Sequence, residues 1–248
     1  MVARAQPDGY TILGISLAHA VNPWLYKLPY DPIKAFAPIG IMGKGPVVLS
    51  VNPNLPVKSV TELITYGKAN PGKLTFGSVG PGVPHHLYME MFKSMTGIQA
   101  THVPYRGSLP ALNDVIAGHI PMMFVALGPA TGALAAGTVR PLGVTSRFRV
   151  TGFPDIPPIA EVGLPEFEAV GWQMFVAPAK TPRPIVDKLN HELTELLAQP
   201  DTKEQIVKFG FVPVANRSVD ELQAYVRSEI VRWGKVVTDA GIAGSQQQ

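Results

Sequence analysis

Three glycines, two prolines, a serine and two adjacent histidines fall within GSVGPGVPHHLYMEMF, Gly77–Phe92, where a loop runs straight into a helix. Glycine lets backbone approach a ligand closely, and a helix start carries unpaired N–H groups with a partial positive charge. Around Ser78, Val79, Gly80 and Gly82 these features suit an anion, carboxylate as well as phosphate. The lysine and following Ser/Thr of a P-loop are absent, which argues against a nucleotide cradle. The same residues also suit an ordinary glycine-rich strand-to-helix turn, and the stretch alone leaves both readings open.

His85 and His86 invite a metal or catalytic reading. Neighbours on a helix point to different faces, so the two do not chelate one ion, and no H-E-x-x-H motif occurs. His102, His119 and His191 fall in separate segments; capping or packing is the expected role of the pair. Ser78 with His85 could serve as nucleophile and base, yet no G-x-S-x-G elbow presents the serine. No catalytic residue, metal ligand or cofactor is assigned. In VPYRG, Val103–Gly107, Arg106 could clamp a carboxylate through two parallel N–H bonds, although most loop arginines bind only water. Trp172 and Phe175 suit either an apolar wall or the core.

The elements that must position these residues alternate along the chain. YTILGI (Tyr10–Ile15), VVLSV (Val47–Val51), KLTFGS, ATHV, MMFVAL and RPLGVTS read as strands. Ser59-Val60-Thr61-Glu62 and Ser218-Val219-Asp220-Glu221 have capping-box form, each ahead of a helical apolar stripe. Helices are expected over His85–Met95 and Leu109–Ala117, with the Ala-rich segment Pro129–Ala136 between strands. Thr181 is expected to cap a helix with Pro182 at its first position and Ile185, Val186, Leu189, Leu193, Leu196 and Leu197 on its buried face. The tail GSQQQ is expected to fray. Strand, loop and helix in succession imply an α/β fold with largely parallel sheets and ligands beyond the C-terminal strand ends.

Composition narrows the classes. With 248 residues, 46% hydrophobic and 16% charged, the chain can build a substantial core in one large domain or two small ones. A net charge of +3 and a pI near 9.1 suit an anionic solute, and no Lys/Arg stripe supports a nucleic-acid partner. The absence of cysteine excludes disulfides and thiolate metal sites. The opening MVARAQ has no apolar signal-peptide core, and no apolar run is long enough to span a bilayer as a helix.

The order of PDGYTIL, NPWLYKLPYDPIKAFAPIG, FGSVGPGVPHHLYMEMF, VPYRGSLPALNDVIAGHIPMMF, PLGVTSRFR, FPDIPPIAEVGLPEFE and GWQMFVAPAKTP closely resembles the Bug family. These are the TctC-type extracytoplasmic solute receptors of tripartite tricarboxylate transporters. The match runs from about Ala3 to Gly241. The resemblance implies a two-lobed α/β periplasmic binding protein of the Venus-flytrap, type II-like class, closing on a small carboxylate in an interlobe cleft. It implies lobe one over residues 1–45 and 171–248 and lobe two over 46–170. Implied partners are the carboxylate and the transporter's membrane subunits, in the periplasm, with no enzymatic activity.

Carrying the family's ligand loops onto this chain marks Ser16 to His19, including Ala18, then Ser78 to Pro84, and Tyr105, Arg106 and Gly107. The strand end around Val125 completes the set. Where relatives commonly carry a small hydroxyl residue before the second-loop histidine, this chain has Val83 and Pro84; Val125 stands where an Asp is common, and Pro121 where a polar residue is usual. Fewer hydrogen-bonding side chains favour a less polar acid. Against the family pattern, the first strand–helix unit of lobe one is expected to be missing ahead of Ala3, which would leave an open sheet edge. A non-binding remnant and a small hydrolase or transferase are the competing readings.

Overall fold

A computed structural model describes residues 1–245; the end of the tail expected to fray, 246–248, lies outside the described residues. The chain forms two compact units, one from Met1–Lys44 and the segment from Gly171 onward, the other from Gly45–Val170.

The first strand, β1, is Leu13–Ser16, shorter than the expected YTILGI. Asp8 Oδ1 accepts from Tyr10 N–H at 3.0 Å and turns the chain there, leaving Tyr10 94% exposed. Helix α1 (Ala18–Leu25) follows at once, then β2 (Phe36–Gly45). The alternation that would have announced β2 is broken by Pro38, Gly40 and Gly43. At Gly40 a Cβ would strike the Leu193 side chain, so glycine there is the condition of close packing.

The second unit contains β3 (Val47–Val51), α2 (Val60–Ala69), β4 (Leu74–Ser78), α3 (Pro84–Thr96), β5 (Ala100–Pro104), α4 (Ser108–Ala117), β6 (Met122–Ala126), α5 (Leu127–Ala135) and β7 (Arg140–Val144). Its strands lie in the order β5-β4-β6-β3-β7. β4 is parallel to β5 and β6, whereas β3 is antiparallel to β6 and β7, so β3 alone runs against the others. From β4 the chain moves outward to β5, while from β6 it moves the opposite way to β7. The strand order therefore reverses between β4 and β6, the place where open α/β sheets form a ligand crevice. The core beneath is aromatic: Phe92 meets Phe167 edge-on at 5.9 Å, and Phe124 stacks on Phe167 at 6.1 Å.

The chain returns to the first unit through β8 (Gly171–Pro178), followed by α6 (Arg183–Ala198), α7 (Pro200–Lys208), β9 (Val212–Pro213) and α8 (Val219–Asp239). The sheet order is β1-β8-β2-β9, with β1 antiparallel to β8 and β2 antiparallel to β9. Trp172 and Trp233 are fully enclosed, and both indole N–H groups donate to Oε2 of buried Glu229, at 2.9 and 3.0 Å. Trp172 is thus core, not the wall of a site. The Ser218 capping box forms as expected, but Thr181 does not cap α6: Pro182 occupies the N-cap, and Thr181 Oγ1 is buried without a partner. Proline brings no side-chain acceptor, so the helix starts on its preset φ instead. Leu196, expected on the buried face of α6, is 48% exposed.

Candidate functional site

Because β4, β5 and β6 are parallel, their C-terminal ends share one sheet edge, and the starts of α3, α4 and α5 fall there too. A helix start leaves N–H groups without intrahelical acceptors. At α2, away from this edge, Ser59 supplies a cap by accepting from Glu62 N–H. At α3, α4 and α5 the N-cap residues are Val83, Gly107 and Ala126, and none supplies a side-chain cap. Three helix starts on one edge thus lack the side-chain acceptor that α2 has, an arrangement that offers donors and partial positive charge to an anion. Pro84, at the first position of α3, sacrifices an N–H that the helix does not need.

The glycine loop itself is built differently from expectation. Gly80 N–H donates to Ser78 Oγ at 3.2 Å, and Gly82 N–H donates to His86 Nδ1 at 3.2 Å. Those two donors, expected to face a ligand, are spent holding the loop. Gly80 and Gly82 have φ of 126° and 74°, conformations that glycine adopts without strain. Ser78 is 1% exposed; its hydroxyl donates to Gly80 O at 3.1 Å and lies 2.7 Å from His102 Nε2. A serine this enclosed cannot reach a substrate, and its histidine is His102 rather than His85. Val79, between them, is half-buried.

The VPYRG loop is tied to the first by Tyr105 N–H donating to Ser78 O at 2.8 Å. Tyr105 OH donates to Asp114 Oδ2 at 2.7 Å, and burial together with that bond pushes the phenol up to about 12. Arg106 is exposed and engages no acceptor among the described residues. Gly107, with φ of 177°, is extended backbone open to any residue. Val125 requires a correction: it sits opposite Val48 in the sheet with no exposed surface, so its side chain belongs to the core, not to a binding face. The adjoining Ala126 is half-buried and begins α5. Ser16 and Ala18 belong to the other unit, where β1 runs into α1; Ala18 N–H lies 3.4 Å from Ser16 Oγ, and Leu17 supplies no cap.

The histidine pair behaves as packing, with an addition that the sequence did not reveal. His86 is 4% exposed and its ring lies 4.2 Å from that of His102, with Phe76 stacked against both. Burial, reinforced by the Lys93 charge, lowers His86 to about 4; burial, then His86 and Lys93, lower His102 to about 4 against the pull of Glu90. The signal for this cluster was the β4–β5 pairing, which puts Phe76 beside His102. No group of three or more metal-ligating side chains occurs among the described residues, and no helix is long and apolar enough to cross a membrane.

A mixed sheet with one reversed strand, glycine-rich loops at its switch point and a chain that leaves and re-enters the first unit are the features of an α/β fold of the periplasmic binding-protein type. The chain belongs to the tripartite tricarboxylate transporter family receptors (TctC), whose pattern matches residues 1–242. The R. palustris protein Rpa4515, solved with adipate, is 36% identical, with a TM-score of 0.80 over 98% of this chain and 81% of its own. The periplasmic binding protein BugD is 34% identical, with a TM-score of 0.77 over 98% and 82%. MatC from Rhodopseudomonas palustris, solved with malate, is 31% identical, with a TM-score of 0.74 over 95% and 82%.

Proposed function

We propose that this chain is a periplasmic receptor that captures a small, largely apolar carboxylate and delivers it to the membrane subunits of a tripartite tricarboxylate transporter. The observation that carries the reading is the set of three helix starts without side-chain caps on one edge of the second unit's sheet, at its switch point. The donors are the backbone N–H groups of Val79, Val83, His85, His86, Arg106 and Gly107 and those at the start of α5, while Gly80 and Gly82 shape the loop. Val83 and Pro84 place few side-chain hydrogen-bonding groups nearby, which favours a dicarboxylate of the adipate type over a hydroxylated acid; Pro121, at the start of β6, lies at the opposite edge of the sheet and does not bear on the choice. The bound adipate in Rpa4515 supports this choice.

The serine weighed as a nucleophile for an enzymatic reading, Ser78, is enclosed, which weakens that reading. Thermal melts against mono-, di- and hydroxylated carboxylates test the proposal. A ligand at a hundred times its dissociation constant adds about 2.7 kcal/mol, which raises the melting temperature by roughly 5–10 °C. Adipate and its homologues are expected to give that rise, malate a smaller one. A melting temperature indifferent to every acid contradicts the proposal.

A further inference from the structure

We propose that His86 is a positioning residue for the glycine loop: its neutral ring holds the Gly82 backbone through Nδ1, so that protonating His86 releases the loop. This rests on the receptor reading for its consequence, but the lock itself is read without any ligand.

Hydrogen bonding fixes the tautomers. Gly82 N–H needs an acceptor, so Nδ1 of His86 carries a lone pair and the proton sits on Nε2, which faces Glu90 Oε1 at 3.6 Å. Ser78 has one hydroxyl proton, given to Gly80 O, so its oxygen accepts from Gly80 N–H and from His102 Nε2–H. Both ends of the loop are thereby pinned, Gly80 by Ser78 and Gly82 by His86. The two pins respond differently to acid. Protonated His102 still carries the Nε2–H that Ser78 accepts, so that end holds. Protonated His86 presents an N–H to the Gly82 N–H, and the bond is replaced by repulsion.

The charged and titratable surroundings of His86 are few. From its own helix come Glu90, which Lys93 Nζ binds at 2.8 Å through both oxygens, and Lys93 itself. From β5 comes His102, and from β4 the uncharged ring of Phe76 stacks on His86. His85, the neighbouring histidine, packs toward Tyr88 at 6.2 Å. Glu90 is already engaged by Lys93 and sits beyond hydrogen-bond length at 3.6 Å, so it offsets only part of the cost of a buried imidazolium. His86 is therefore kept neutral at ordinary pH, and the loop is kept closed by that neutrality.

The test is hydrogen exchange of the Gly82 amide in the ligand-free protein, expressed as protection relative to an unstructured chain at the same pH, with His86 titrated in parallel by ring NMR. Wild-type protection is expected to fall roughly three- to tenfold as His86 protonates, the scale of one lost hydrogen bond. His86→Asn puts an untitratable acceptor where Nδ1 stood and is expected to keep protection flat with pH. His86→Gln, of similar bulk but with its acceptor displaced, is expected to be poorly protected throughout. Adipate affinity should follow Gly82 protection across the three proteins at neutral pH. Protection that ignores the titration of His86, or that is equal in the Asn and Gln variants, overturns the proposal. If adipate fails to bind the wild type while Gly82 protection follows His86, the receptor reading for that acid fails and the lock stands.

Discussion

Arg106 carries its charge into solvent with no carboxylate partner among the described residues, and the surrounding loops offer backbone donors. If those donors hold the ligand, the arginine contributes mainly long-range attraction, which salt screens. Arg106→Ala is expected to weaken adipate binding by less than about tenfold at 0.15 M salt, and by less still at higher salt, measured by calorimetry. A direct charge-assisted bond would cost more, roughly 1.5–3 kcal/mol, and would survive the salt. The glycines separate two roles. Gly80 has open space around a built Cβ but a φ of 126°, so Gly80→Ala strains the backbone and should destabilise the fold by about 1 kcal/mol or more. Gly107 is extended, and its Cβ would stand 3.6 Å from Pro110 Cδ, an ordinary contact. Gly107→Ala should leave chemical denaturation nearly unchanged, so any loss of binding there reports on ligand approach alone.

Elements were legible in the sequence wherever one local rule sufficed. The capping box at Ser218 and the apolar stripe of Leu222, Tyr225, Val226, Ile230, Trp233 and Val237 defined α8, because period and cap agree, and all of these but half-buried Tyr225 are buried. The strand–loop–helix rhythm placed the loops proposed as the site on one edge, since parallel β4, β5 and β6 must end there. What could not be read was tertiary. His102 joins Ser78 only through the register of β4 on β5, and Val125 reads as a strand end until Val48 is seen opposite it. Thr181 has the right residue type for a cap, yet Pro182 takes the position and leaves its hydroxyl buried without a partner. Glu229 is another element-scale device, a carboxylate on α8 that both tryptophans reach. Glu229→Leu orphans two buried indole donors and should cost roughly 2–6 kcal/mol in urea denaturation, at ~1–3 kcal/mol per donor. Glu229→Gln keeps an oxygen acceptor and should cost clearly less.

At the scale of the whole molecule, the buried histidines set a pH limit. His86 and His102 ordinarily titrate at 6.5 and are lowered to about 4 in the fold, His86 by burial and Lys93, His102 by burial, then His86 and Lys93. The unfolded chain therefore takes up protons before the folded one, and stability declines as pH falls from 6.5 toward 4. Above 6.5 these groups are neutral in both states and the decline ceases. Melting temperatures across that window should drop less in His86→Asn than in the wild type, and an identical drop in the two would remove His86 from the explanation.

The most direct test of the receptor claim is isothermal titration of the 248-residue protein with adipate at neutral pH, with the acid recovered afterwards and its NMR spectrum taken. The account expects saturable binding at one site, a negative heat-capacity change from the buried methylene chain, and adipate returned unaltered. No binding heat from adipate or its homologues at any temperature, or an acid recovered as a different compound, would contradict it.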